Sequence, residues 1–419
     1  MRISGDFPLS FFESITQEEQ KIEEKRPEIH FTPERGWMND PNGLVYDGEL
    51  YHLYYQYNPF NIRWQNMSWG HAVSKNLLQW EELDQVMYPD RDGTIFSGCG
   101  WKQDEKLMFY YTSAGGDTPW SKDRGFVQKL AISTDGGMTL QKQPEIIVDK
   151  IGKDTRDPKI FWHEETKAYI MVIYIEGNEF GILRSTDMYN WEISQRFELE
   201  EAWECPNLMK VPTEEGGHKW MFWSADGFYY WGEFDGYRFT TDGKKHMAYL
   251  GTEQYAAQTY AGVEDRIIQI SWLRLENTGE VYTGAMGIPR EIICRKKGDD
   301  YVLVQKPVRE LKATTQGDSP VKIINIDLEE KFGQLVFNIN RSKIEITEEL
   351  LTIDDKKYRI VDKVSHIQMI VDNNIIEVAI SHDIIIGVFK LKNSHKEFKY
   401  KLTDKAQICI SVLEETWQH

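Results

Sequence analysis

Three acids stand out, each close to a proline in a strand-entry turn: Asp40 in NDPNG, Asp157 in RDPKIFW and Glu204 in ECPNL. Proline fixes the local backbone and withdraws a hydrogen-bond donor, so a neighbouring side chain is aimed rigidly. Taken singly, each motif reads as a plain strand-entry turn, because Asp-Pro and Asn-Gly are favoured turn dipeptides. Taken together they supply the equipment for breaking a glycosidic bond. Two carboxyl groups flank the bond, one ionised and one protonated, across an oxocarbenium-like transition state. A third acid is then free to hold sugar hydroxyls.

Local sequence assigns the roles. Arg156 beside Asp157 favours the ionised form of that aspartate and suits it to binding. Glu204 lies between Trp203 and Cys205-Pro206, a less polar setting that raises a carboxyl pKa and suits a general acid. Asp40, flanked by Asn39 and Asn42, has amide neighbours to keep it ionised as a nucleophile. Other chemistries find less. The ten histidines are scattered without an H-E-x-x-H pattern, and SGCGWKQ carries only the first half of a G-x-G-x-x-G fingerprint. There is no G-x-S-x-G or Walker pattern. No metal and no cofactor is expected.

These acids need a scaffold, and the sequence contains a repeat. A short strand, a polar turn and a longer apolar run recur in GLVYDGELYHLYYQY, GCGWKQDEKLMFYYT, KIFWHEETKAYIMVIYI, LMKVPTEEGGHKWMFWS and TYAGVEDRIIQISWL. With Leu53, Met108, Ile170, Met221 and Ile268 as equivalent points, the spacings are 55, 62, 51 and 47 residues, the length of a four-stranded unit with its turns. A shorter pattern, SKNLLQW, STDGGMT and STDMYNW, supplies turns between strands.

Five such units point to an all-β fold, a five-bladed β-propeller, with a large sandwich of similar hairpins as the alternative. The polar residues favour the propeller. Asp40, Ser97, Asp157, Glu204 and the segment Tyr255 to Gln258 fall just before the first strand of each unit, where they would face one another at one end of a central funnel. The expected domains are an N-terminal extension (1–25), the propeller (26–300) and a small antiparallel β-sandwich (311–419). The last is rich in Ile, Val and Lys, with alternating segments such as KIEIT and EFKYKL, and carries no concentrated polar constellation.

Bulk composition excludes some classes. With 67 acidic against 49 basic residues the formal charge is -18, which repels nucleic-acid phosphates and anionic lipid surfaces. No run approaches the roughly 18 apolar residues of a membrane span, and the first twenty residues lack the apolar core of a secretory signal. A cytoplasmic location is expected. Cys99, Cys205, Cys294 and Cys409 lie far apart, consistent with reduced thiols. Aromatic content is 13%, with 14 tryptophans, and aromatic faces suit both cores and sugar stacking.

RPEIHFTPERGWMNDPNGLVY, YYQYNP, MSWGHAVS, IFSGCG, RDPKIFW, ECPNL, GEFDGYRF and YAAQTY occur in order from about residue 26 to 310. Together they resemble glycoside hydrolase family 32, the invertase, fructanase and inulinase group. The resemblance implies a five-bladed propeller with a C-terminal sandwich, and cleavage of β-fructofuranosyl bonds with retention and without a metal. It implies Asp40 as nucleophile, Glu204 as acid/base and Asp157 as transition-state stabiliser, with Trp37, Asn39, Gln56, Trp64, Phe96, Ser97, Arg156, Cys205 and Tyr255 around the fructose.

Some residues depart from the family pattern. After Trp272 the chain reads LRLENTGEVY, with Glu276 where a second tryptophan is usual, Pro206 is followed by Asn207 rather than Asp, and Glu253 replaces an Asp. Substrate preference is therefore more open than reaction class. The partner expected is a small sugar, sucrose or a short fructo-oligosaccharide. A fructosyltransferase shares the same covalent intermediate, and a non-catalytic sugar-binding propeller is the third reading.

Overall fold

The computed structural model describes residues 26–419 except 117, 118, 120, 276–280, 330, 361–362, 393–397, 404 and 415–419, so the expected extension 1–25 lies outside the described residues. The fold is all-β, with no helix among the described residues.

The repeat becomes five antiparallel sheets in chain order. Their first strands are Gly36–Tyr46, Thr94–Gln103, Arg156–His163, Asn207–Pro212 and Gln254–Thr259. Their second strands are Tyr51–Asn58, Lys106–Ala114, Ala168–Glu176, His218–Trp223 and Ile268–Leu273, so each of the five equivalent points falls on a second strand. Second strands are packed on both faces, and all eight residues of Tyr51–Asn58 are buried. Outer strands such as Glu81–Met87 are polar and mostly half-buried. The repeated Ser-x-Asn/Asp turns follow the third strands. Ser74, Ser133 and Ser185 each donate to the acidic or amide side chain two residues on (3.2, 2.7 and 3.0 Å), which closes the turn locally.

Each neighbouring pair of sheets shares one apolar core. Phe109 and Tyr54 join the first and second, Met108 and Ile173 the second and third, Phe180 and Phe222 the third and fourth, Trp223 and Ile292 the fourth and fifth. The series then returns to its start. Ile268 and Ile270 of the fifth sheet pack with Leu53 and Tyr55 of the first, and Tyr282–Thr283 pairs in parallel with Gly36–Trp37. Burying one such large side chain contributes about 1.5–3 kcal/mol, so these shared cores hold the series together.

The described residues between 313 and 413 contain two further sheets. One has six strands and includes Lys322–Leu328, His366–Asp372 and Ile375–Ile380; the other has five and includes Leu335–Ile339 and Ser342–Ile346. Ile324, Phe337, Ile346 and Val378 fill the space between them.

The expectation that this region carries no concentrated polar constellation needs correction. Asp372 accepts from the backbone N–H groups of Glu28, Ile29 and His30 (2.7, 3.0 and 3.1 Å) and pairs with His30 Nδ1 at 2.7 Å. Glu377 contacts His30 Nε2 at 3.2 Å and accepts from Ile288 N–H at 2.9 Å and from the Arg290 guanidinium. The partners lie more than 300 residues apart for His30, so no local motif announces the cluster.

Candidate active site

GWMNDPNGLVY, with its dense turn formers, is not a turn. It is one eleven-residue strand, Gly36–Tyr46, interrupted by two bulges. Asp40, Ser97, Asp157 and Tyr255 likewise lie inside first strands rather than just before them; only Glu204 precedes its strand.

Four of the five first strands carry an irregularity at the same level. Asn39 and Asp40 together oppose Gln56; Phe96 and Ser97 oppose Thr112; Asp157 and Pro158 oppose Ile173; Ala256 and Ala257 oppose Ser271. Two residues against one is a β-bulge, which bends the strand and re-aims a side chain, here toward the centre. Close approach enforces it at Gly98, where a Cβ would run into the Tyr110 carbonyl oxygen. The backbone is left-handed at Asp157 (φ 61°), Glu204 (46°), Cys205 (39°) and Ala256 (51°), strain that surrounding packing must hold in place.

The bulges bring the three acids together. Asp40 accepts from Ser97 Oγ at 2.7 Å and from Asn39 Nδ2 at 3.0 Å, while Asn39 Oδ1 accepts from Trp37 Nε1 at 2.7 Å. Asp157 accepts from the Cys205 backbone N–H at 3.1 Å, and its own N–H donates to Thr112 Oγ1 at 3.1 Å. The Cys205 thiol lies between the two aspartates, 3.7 Å from Asp40 and 3.6 Å from Asp157. Glu204 accepts from Arg156 Nη2 at 2.5 Å and from Tyr255 Oη at 2.6 Å. The Arg156 guanidinium also lies 4.5 Å from the Tyr174 ring centre.

Two expectations about ionisation change, and one about surroundings. Burial pushes Asp157 up to about 7; Arg156 opposes the rise, but Glu204 and Asp40 reinforce it. Burial likewise raises Asp40 against the hydrogen bonds of Ser97 and Asn39, with Glu204 adding to the rise. Glu204 does not sit in an apolar setting, because an arginine and a tyrosine from two other sheets reach its carboxyl. Burial and then the charge of Glu204 hold the Tyr255 phenol well above its ordinary value, so it remains a donor.

Two residues expected to touch substrate are buried. Gln56 is 2% exposed and donates to the Ile95 carbonyl at 2.9 Å, which ties the first strand's partner to the Ser97 bulge. Cys205 is 1% exposed and enclosed by the two aspartates. The open rim is aromatic. Trp64, 49% exposed, meets Phe96 edge-on at 5.9 Å, and Trp37 meets Trp272 at 6.0 Å.

Sequence reasoning missed Thr112, Asp226 and Arg274. Thr112 accepts from Asp157 N–H and donates to Gln128, whose amide donates to the Thr155 carbonyl, a buried brace for the Asp157 bulge. Burial and Glu204 raise Asp226, and Arg274 opposes the rise. No local signal marks these residues, since the partners that hold them lie far from them along the chain. Glu276 lies outside the described residues.

The same first strands end at a second opening. A cavity of about 1050 Å³ there is lined by Tyr46, Trp101, Trp162, Met209 and Tyr260, on or next to the five first strands. Among the described residues no group of three or more His, Cys, Asp or Glu side chains is arranged to hold a metal ion.

The family model for the glycosyl hydrolases family 32 N-terminal domain matches residues 30–307. The chain is 34% identical over 333 residues to a levanase of Bacillus subtilis, covering 71% of this chain and 49% of that protein. It is 36% identical over 282 residues to an invertase of Debaryomyces hansenii, covering 59% and 52%. The chain spans about half the length of the relatives it matches. In fold it is similar to the crystal structure of an exo-inulinase from Aspergillus awamori, with a TM-score of 0.81 at 22% identity over 94% of this chain and 99% of that one.

Proposed function

The chain belongs to glycoside hydrolase family 32, and on that premise we propose that it is a retaining, exo-acting β-fructofuranosidase releasing terminal fructose from sucrose and short fructo-oligosaccharides. One observation carries the reading: Asp40, Asp157 and Glu204, from three different sheets, meet through Ser97, Cys205, Arg156 and Tyr255 at one end of the first strands. The ring of shared cores supports a five-bladed propeller over residues 26–300, and the two remaining sheets support a sandwich over 311–419. The similarity to a levanase and an invertase supports fructosides as the substrate class.

The proposed roles follow exposure. Glu204 and Asp40 are half-buried and reachable, whereas Asp157 is 3% exposed. A group that protonates a leaving sugar must face the route by which that sugar departs, which favours Glu204 over Asp157 as the acid. Asp40 attacks the anomeric carbon as the glycosidic C–O bond breaks, and the proton of Glu204 passes to the departing oxygen. Glu204 then takes a proton from water, which displaces Asp40 and restores the anomeric configuration. Ser97 and Asn39 stabilise the ionised nucleophile against its burial. Asp157, braced by Thr112 and the Cys205 N–H, holds fructose hydroxyls, and Trp37, Trp64 and Phe96 offer faces and edges to the ring.

A cytoplasmic location belongs to the same proposal, supported by four cysteines that are all free thiols. The test is a hydrolysis panel of sucrose, sucrose phosphate, kestose, inulin and levan with product identification. Free fructose from sucrose and kestose is expected. Longer oligosaccharides in place of fructose would make it a transferase, and inertness on every substrate would sink the reading.

A further inference from the structure

Tyr255 donates to Glu204 Oε2 at 2.6 Å, and against its ring lies the guanidinium of Arg274, 4.1 Å from the ring centre. Arg274 belongs to the stretch after Trp272 in which the chain leaves the family pattern. It is held on two sides: its Nε and Nη2 donate to the Thr252 carbonyl at 3.0 and 2.7 Å, and its backbone N–H donates to the Glu253 carbonyl at 2.6 Å. Trp272, paired in register with Tyr255, meets the same ring edge-on at 6.2 Å. The tyrosine is thus clamped between a fixed cation and a carboxylate.

A cation over a phenol ring draws on its π electrons and favours negative charge at the phenolic oxygen. The O–H then donates more strongly, and the carboxylate receiving it is more stabilised. We propose that Arg274 is a positioning residue that sets, through the ring of Tyr255, how firmly Glu204 holds its proton. This rests on the acid/base role proposed for Glu204. Other charges face the same carboxyl: Arg156 and Asp157 from the third sheet, Asp40 from the first, Asp226 from the fourth, and the adjoining Cys205. Tyr174 joins them behind Arg156. Asp226 lies close enough to Arg274 to feel its charge. A direct field from Arg274 must therefore be separated from a relay through Tyr255.

The experiment is the pH dependence of kcat/KM on sucrose for the wild type, R274A, R274K, Y255F and the R274A/Y255F double variant. The basic limb reports loss of the proton from the acid. R274A should move that limb upward by about half a pH unit, Y255F should move it further, and R274K should return it most of the way. In the Y255F background R274A should add no shift. An unmoved limb in R274A overturns the proposal. A shift equal in both backgrounds overturns it too, because the charge would then act without the ring.

The carboxyl carbon of Glu204, followed by NMR in ¹³C-Glu-labelled protein against pH, gives the same comparison without turnover. An inactive wild type would defeat the proposed function, while the NMR titration would still decide whether Arg274 governs Glu204. If R274A does not fold, R274K and Y255F carry the test, with a limb intermediate between wild type and Y255F expected for R274K. A limb in R274K displaced beyond that of Y255F would contradict it.

Discussion

The molecule buries two clusters of acids and treats them in opposite ways. Where the fifth sheet meets the six-stranded sheet, Asp372 and Glu377 face His30, Arg290 and four backbone N–H groups. Burial works against the charged His30, yet its two acidic partners push it up to about 9. Burial also works against the charged Glu377, yet Arg290 and His30 pull it down to about 2. At the end of the first strands the balance reverses. Asp157 and Glu204 share Arg156 as the cation in contact with them, Asp40 is met by Ser97, Asn39 and the Cys205 thiol, and burial raises both aspartates. A saturated cluster is a fastener. An undersaturated one keeps its acids reactive, because their protons can be moved by a ligand or a neighbour.

This difference can be broken from either side. The largest effect is expected for D40N, which removes the proposed nucleophile: hydrolysis of sucrose should fall on the order of 10⁴-fold or more, while thermal unfolding shows a stability unchanged or raised. Next is D372N at the fastener, where removing one partner of a buried pair should cost about 3–5 kcal/mol in urea unfolding with kcat of the folded fraction unchanged. Loss of activity without loss of stability in D372N would blur the two clusters.

The pH dependence of stability sharpens the same contrast. His30, raised above its ordinary 6.5, contributes stability that is complete below 6.5 and lost as pH rises through about 9. Glu377, depressed from 4.5 to about 2, contributes stability that is complete above 4.5 and lost as pH falls through about 2. Asp157 is raised, so its contribution has the opposite sign to that of Glu377. The folded state binds its proton more tightly, and stability falls as pH rises from 3.8 through about 7. D157N should flatten that decline and be more stable than the wild type at pH 8, as followed by unfolding across pH 4 to 8.

Smaller effects lie at the rim. S97A removes the hydroxyl donating to Asp40, which should lower kcat/KM about tenfold and move the acidic limb of its pH profile upward. W64A removes an exposed aromatic face and should raise KM for kestose about fivefold with kcat unchanged.

Much of this was legible in the sequence, for a physical reason. Leu53, Met108, Ile170, Met221 and Ile268 are equivalent because each second strand is buried on both faces, and a repeat that shares its cores must repeat its apolar runs. The three acids stood out because proline and glycine mark the irregular backbone that aims them. What stayed hidden was set by chain-distant neighbours. Glu204 reads as apolar from Trp203 and Pro206, yet its environment is Arg156 and Tyr255, 48 and 51 residues away. The Asp40 segment reads as a turn because a bulged strand uses the same residues as one. The His30–Asp372 contact spans 342 residues, beyond the reach of any local pattern.

The most direct measurement is the trapping of a covalent intermediate. E204Q slows the second step more than the first when the leaving group needs no acid, so it should accumulate a fructosyl-enzyme from β-fructofuranosyl fluoride. Mass spectrometry of the digested protein is expected to find one fructosyl group on the peptide carrying Asp40, and none in a D40N/E204Q control. A label on Asp157, or turnover with inverted fructose and no label, would contradict the assignment of Asp40 as the nucleophile of a retaining enzyme.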